Sequence, residues 1–113
     1  MSILNFDYLE SISEGDAELI QELIEIFETQ VPEYIQEFNT AFENQNTEVL
    51  SKIAHKAKST VQIMGLKDLS EALNKFELEA KQGEFNETYQ EYINLFKSEC
   101  EEGIKQLKEH YLN

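Results

Sequence analysis

The stretch IAHKAKSTVQIMG, residues 53–65, places an imidazole among cations. Lys52, Lys56 and Lys58 all lie within three positions of His55, in a chain with only nine basic side chains. At helical spacing Ser51, Lys58, Ser59 and Gln62 share the His55 face, which is polar and small, so the ring is expected to meet solvent. Lys58 sits one turn on, where its ammonium can reach a group attached to the ring. Lys52 and Lys56 add positive potential on the flank, and the pattern predicts an anion at this spot. A carboxylate is expected behind the ring. If the chain reverses at Gly65–Leu66, His55 lies eleven residues before Leu66 and Glu77 eleven after it, level across two antiparallel helices. Glu77 there would accept the proton of one ring nitrogen and leave the lone pair of the other pointing outward. An oriented nitrogen nucleophile beside an ammonium suits phosphoryl chemistry.

The elements that must hold this arrangement are helices. Four glycines and one proline leave few places for turns, and isoleucine, leucine, glutamate and lysine dominate over valine. SEGD (13–16) reads as a turn, with Asp16 as an N-cap and Ser13 opening a short capping pattern. Leu19, Leu23, Ile26, Phe27, Tyr34, Ile35, Phe38 and Phe42 then form one apolar stripe, on a long helix expected to bend where Pro32 removes the bond to the Glu28 carbonyl. NQN (44–46) breaks it, with Asn46 as the next cap. The following helix carries Leu50, Ile53, Ala54, Ala57, Val61 and Met64 and ends at Gly65, a natural left-handed C-terminal residue. Leu69, Ala72, Leu73, Phe76 and Ala80 line a further helix as far as KQGEFN, and Tyr89 to Tyr111 carries the last. ILNFDYLESI is expected to form a short helix across one end. The reading is all-α: an antiparallel up-and-down four-helix bundle with a short additional N-terminal helix, one domain over residues 1–113.

Composition narrows the partners. Twenty-three acidic side chains against nine lysines give a formal net charge of −14. Such a chain repels phosphate backbones and anionic lipid, so neither nucleic acid nor membrane is expected as a partner. At 41% hydrophobic and 11% aromatic it is too apolar for a disordered polyanion. Cys100 is the only cysteine, which leaves no intrachain disulfide and fits a reducing, cytoplasmic setting. No signal peptide or membrane span is legible. Metal chemistry also fails: a di-iron bundle needs Glu-x-x-His, but Lys52 precedes His55 and Leu107 precedes His110 at that spacing. Zinc would need more histidine or cysteine. No glycine-rich phosphate loop and no paired serine or cysteine nucleophile is present, so an autonomous enzyme is not expected. His110 reads as an exposed tail residue and Cys100 as core.

AHKAKSTVQIMG, with Glu77 following an apolar residue on the next helix, resembles the histidine-containing phosphotransfer (HPt) domain of phosphorelays. The likeness extends to the GD at 15–16, the proline of the long helix and the short turn after Gly65. Ala57 stands where the family often has leucine, and Ser59 meets the usual small position. The resemblance implies that His55 accepts a phosphoryl group on Nε2 from a receiver-domain aspartate and passes it to another. Lys58 would neutralise the phosphoryl oxygens, Glu77 would hold Nδ1–H, and Ser59, Thr60 and Gly65 would serve packing and access. Gln62 either contacts the phosphoryl group or faces water. The domain itself would hold no metal or cofactor, since the receiver brings the Mg²⁺. Response-regulator receivers, and a hybrid histidine kinase upstream, are the expected partners. Lys52, Lys56, Lys58 and Lys67 would face a receiver's acidic pocket, and Ile12, Ile20 and Ile24 would give an apolar docking patch. A monomer is expected. Met1 and the self-contained ends suggest a free-standing phosphocarrier, the alternative being a module of a larger kinase. A helical adaptor that binds signalling partners without accepting phosphate is the rival of another class.

Overall fold

Turn and cap residues divide the chain where their chemistry requires. The structure is a computed structural model that describes residues 4–112, which form α1 (Asp7–Ser13), α2 (Ala17–Glu43), α3 (Thr47–Met64), α4 (Lys67–Lys81) and α5 (Tyr89–Tyr111). There is no strand among the described residues. The expected N-terminal helix over ILNFDYLESI begins on Ile3, outside the described residues; α1 accounts for its second part. Asp16 caps α2, its carboxylate accepting from the Glu18 and Leu19 amides at 2.9 and 3.3 Å. Asn46 caps α3 by accepting from the Val49 amide. Ser13 does not open a capping pattern. It is the buried last residue of α1, and its hydroxyl donates back to the Leu9 carbonyl at 2.8 Å.

Helix α2 continues through Pro32, which is exposed. The Glu28 carbonyl, deprived of its amide donor four residues on, can then be satisfied by water. The α2 stripe needs one correction. Leu19 and Ile26 lie outside the core, 37% and 46% exposed, while Ile20, Ile24, Val31 and Ala41 are buried. The segment LIQELIEIF is apolar at adjacent pairs, 19/20, 23/24 and 26/27. Two faces about 100° apart therefore satisfy the same period, and only packing chooses between them.

Packing is mutual: α2 lies against α3 and α5, α4 against α3 and α5, and α1 against α2 and α3. Phe38 of α2 links the far helices, its ring 5.7 Å from Phe76 and 5.4 Å from Phe96, all three fully buried. Aromatic burial of this kind contributes about 1.5–3 kcal/mol per ring relative to exposure. The α3–α4 pair carries Ala54, Ala57 and Ala80, all buried. Small side chains at a contact let two helix axes approach closely.

The α3–α4 turn is two residues long, and its geometry demands glycine. Gly65 has φ +91°, and its carbonyl accepts from the Asn5 amide at 3.0 Å. A Cβ there would lie 2.2 Å from the Asn5 carbonyl oxygen. The N-terminal segment is thus clamped to the end of α3. It is also stacked against α5, with the Phe6 ring 4.3 Å from His110 and the Tyr111 hydroxyl donating to Glu10. His110 is exposed as expected, yet it is packed against Phe6.

Candidate functional site

The two-residue turn brings α4 back along α3 in reverse order. Hydrogen bonds record the register: Ser51 and His55 with Glu77, Lys58 with Asn74. The buried Ser51 hydroxyl donates to the Glu77 backbone carbonyl at 3.2 Å, fixing α4 at this level. Glu77 follows Phe76, which is anchored in the core, so its own side chain emerges at the edge of the α3–α4 seam and is only 6% exposed.

His55 stands outside the seam, with 65% of its side chain exposed, and its Nδ1 lies 3.0 Å from Glu77 Oε2. Lys58 Nζ donates to the other carboxylate oxygen, Glu77 Oε1, at 3.0 Å and to Asn74 Oδ1 at 3.1 Å. Lys81 Nζ is 3.7 Å from Oε2. Burial alone would push the Glu77 carboxyl upward. The hydrogen bond and charge of Lys58, then the charge and hydrogen bond of His55, outweigh it and hold the group below its ordinary value of 4.5. An ionised carboxylate only accepts, so the hydrogen between Nδ1 and Oε2 belongs to the ring. A neutral imidazole so held has its lone pair on Nε2, turned away from Glu77 and toward solvent.

The expected residues divide into two groups. His55, Lys58 and Glu77 come together as the spacing predicts, and Lys52 and Lys56 join His55 and Glu77 in lining one open hollow. Lys52 is paired with Glu48 at 3.3 Å. Ser59 is exposed one turn along the same face. Gln62 and Gly65 are further off, about 10 and 15 Å along the helix from His55 by their separation in sequence. They line a second hollow with Tyr8 and Lys67 at the α1 end. Gly65 therefore supports the site through the turn, and Lys67 does not share the His55 hollow. Thr60 is half-buried, its hydroxyl 3.3 Å from that of Tyr34. Of the isoleucines expected to dock a partner, Ile12 is 44% exposed, but Ile20 and Ile24 are buried in the core at 2% and 0% and offer no contact surface. The other face of the doubled α2 stripe is the one left outside.

Two neighbours of Glu77 escaped the sequence reading. Asn74 and Lys81 sit three residues before and four after it on α4, spacings that put side chains on a common face. That spacing was the signal available. No group of histidine, cysteine and acidic side chains able to hold a metal ion occurs among the described residues. No described helix is long and apolar enough to cross a membrane.

Comparison with curated proteins finds no match, and neither does comparison with solved structures. Residues 22–110, which contain the entire His55–Glu77–Lys58 cluster, match the model of the Hpt domain. That domain serves phosphotransfer in two-component systems, as a phosphocarrier rather than an enzyme, and interacts with receiver domains and histidine kinases. The chain belongs to the Hpt domain family.

Proposed function

We propose that this chain is a phosphorelay intermediate that carries a phosphoryl group on His55 Nε2 between receiver-domain aspartates. The observation that supports it most directly is an exposed imidazole whose Nδ1 is tied at 3.0 Å to a buried carboxylate, itself held by Lys58. In the transfer, the lone pair of Nε2 attacks phosphorus, the bond from phosphorus to the aspartyl oxygen breaks, and the aspartate leaves as a carboxylate. The ring keeps its Nδ1 hydrogen, and the positive charge it develops faces Glu77. Lys58 keeps Glu77 ionised and lends positive potential to the phosphoryl oxygens. The metal ion belongs to the receiver, and docking makes the step effectively unimolecular. The finer architecture of this reading is an antiparallel up-and-down bundle of α2 to α5 with α1 added, over the chain as one domain, acting as a monomer in the cytoplasm.

The docking surface follows from exposure. Tyr8 shares a hollow with Gln62, which lies two turns along the His55 face, so α1 borders that face. Tyr8 and Ile12, four apart on α1, are 48% and 44% exposed. A receiver would rest on these apolar side chains while its acidic pocket meets Lys52 and Lys56 at the histidine.

The test incubates the protein with a phosphorylated receiver, Mg²⁺ and radiolabel. Label that is acid-labile, alkali-stable and absent from His55→Gln is the expected result. His55 is largely exposed and Lys58 still holds Glu77, so this variant should lose no more than about 1.5 kcal/mol, the worth of the bond to Oε2. An unlabelled wild type across several receivers would favour the adaptor instead.

A further inference from the structure

Glu77 offers one negative charge to two ammonium groups and one imidazole, and they are not held alike. Lys58 is bound twice, to Glu77 Oε1 and to Asn74, and only 24% of its side chain is exposed. The imidazole is fixed by its hydrogen bond. Lys81 has the longest contact, 3.7 Å, and 67% of its side chain is in solvent. It also lines the hollow beside His55, together with Lys56, which makes no ion pair among the described residues, and Lys52, which is occupied by Glu48. Lys58 does not line that hollow.

Resting on the phosphoacceptor reading of His55, we propose that Lys81 is a positioning residue for the phosphorylated state: its ammonium leaves Glu77 Oε2 and pairs with the phosphoryl oxygens on Nε2. A phosphoryl group brings nearly two negative charges and three acceptor oxygens. Glu77 presents a single charge already shared among its partners. The loosest ammonium with a long, flexible stem is the one that a new dianion draws away. Lys58 stays on Glu77 and Asn74, so the carboxylate that orients the ring keeps its counter-ion during the carrier state. The two lysines then divide the work: Lys58 braces the imidazole from behind and acts on the cargo only through its potential, while Lys81 pairs with the phosphoryl oxygens directly.

The experiment loads the 113-residue chain with phosphoramidate, whose phosphorus–nitrogen bond breaks as Nε2–P forms and ammonia leaves, so no receiver is required. Phosphorus NMR then follows the phosphohistidine signal against pH. A nearby cation favours the dianion, so Lys81→Gln should raise the apparent phosphoryl pKa by about half a unit. Lys81→Arg should restore it, and the difference should shrink in high salt, where exposed charges are screened. A phosphorylated wild type whose phosphoryl titration is unchanged in Lys81→Gln overturns this assignment and leaves the carrier reading intact. A wild type that takes no phosphoryl group on His55 overturns both.

Discussion

Replacing Glu77 with alanine separates the carboxylate's two duties, orienting the ring and neutralising Lys58. The hydrogen bond from Nδ1 to Oε2 is charge-assisted and 3.0 Å long, but 65% of the imidazole side chain is exposed. It therefore belongs at the low end of the range for such bonds, about 1.5 kcal/mol. A bias of that size multiplies the ratio of the two neutral tautomers about tenfold. Glu77→Ala should thus let the hydrogen redistribute onto Nε2 and slow phosphoryl transfer by up to about tenfold. Global stability should fall as well. Deleting one partner of a fully buried pair costs about 3–5 kcal/mol. Here the Lys58, His55 and Lys81 side chains left behind are 24% to 67% exposed and can rehydrate, so about 2 kcal/mol is expected. Glu77→Gln keeps an oxygen that can accept from Nδ1–H while removing the charge, so it should preserve the tautomer and lose only part of the stability. Long-range proton–nitrogen NMR of the ring reads the tautomer, and urea unfolding reads the stability. An unchanged tautomer ratio in Glu77→Ala would refute the claim that this carboxylate sets the nucleophile.

Other outcomes follow from the same contacts. The folded Glu77 carboxyl is held below its ordinary value of 4.5. Its stabilisation is therefore fully present above that pH and lost as pH falls through the depressed folded value. In urea unfolding across the acid range, wild type should lose stability more steeply than Glu77→Gln below about pH 4.5, and parallel curves would show the depression absent. Lys58→Ala should slow transfer from a phosphorylated receiver, with a stability loss of about 2 kcal/mol because a buried carboxylate loses its best-held cation; unchanged transfer removes Lys58 from the mechanism. Gly65→Ala forces a side chain into the left-handed region and onto the Asn5 carbonyl. It should cost about 2 kcal/mol or more, roughly 10 °C in Tm, and a shift within about 2 °C would contradict the clamp. Burial, with Glu99 and Glu101 beside it, pushes the Cys100 thiol far up. A thiol reagent should modify Cys100 only as fast as the protein opens, and rapid labelling of the native state would place that sulfur elsewhere.

The parts of the fold legible in the sequence are those written by local chemistry. Asp16 and Asn46 cap because short polar side chains satisfy free amides, and Gly65 ends α3 because it alone accepts φ +91° without strain. The tight turn then fixes the α3–α4 register, which is why His55 and Glu77 could be paired by counting outward from Leu66. The α2 face could not be read this way. Its adjacent apolar pairs satisfy two orientations equally, and the choice depends on neighbours tens of residues away. That ambiguity buried Ile20 and Ile24, two expected contact residues, and exposed Leu19 and Ile26. Ser13 misled for a related reason: a hydroxyl before a helix can cap the next one or bond back to its own, and the buried position at the end of α1 favours the latter.

The same distinction explains why the site is more legible than the surface around it. A buried carboxylate is costly unless cations answer it, so Glu77 at the seam requires Lys58 and the imidazole at fixed spacings, and such requirements are visible in a sequence. Lys81 answers no comparable cost. Its contact with Glu77 is long and wet, so nothing in the resting state compels a lysine there. Exposed charges leave weak signatures in a fold because they contribute little to it. They acquire a role when a charge appears nearby, as a phosphoryl group on Nε2 would supply. Residues that matter in the loaded carrier are therefore sought among cations that the unloaded fold holds loosely, within reach of the nitrogen it holds firmly.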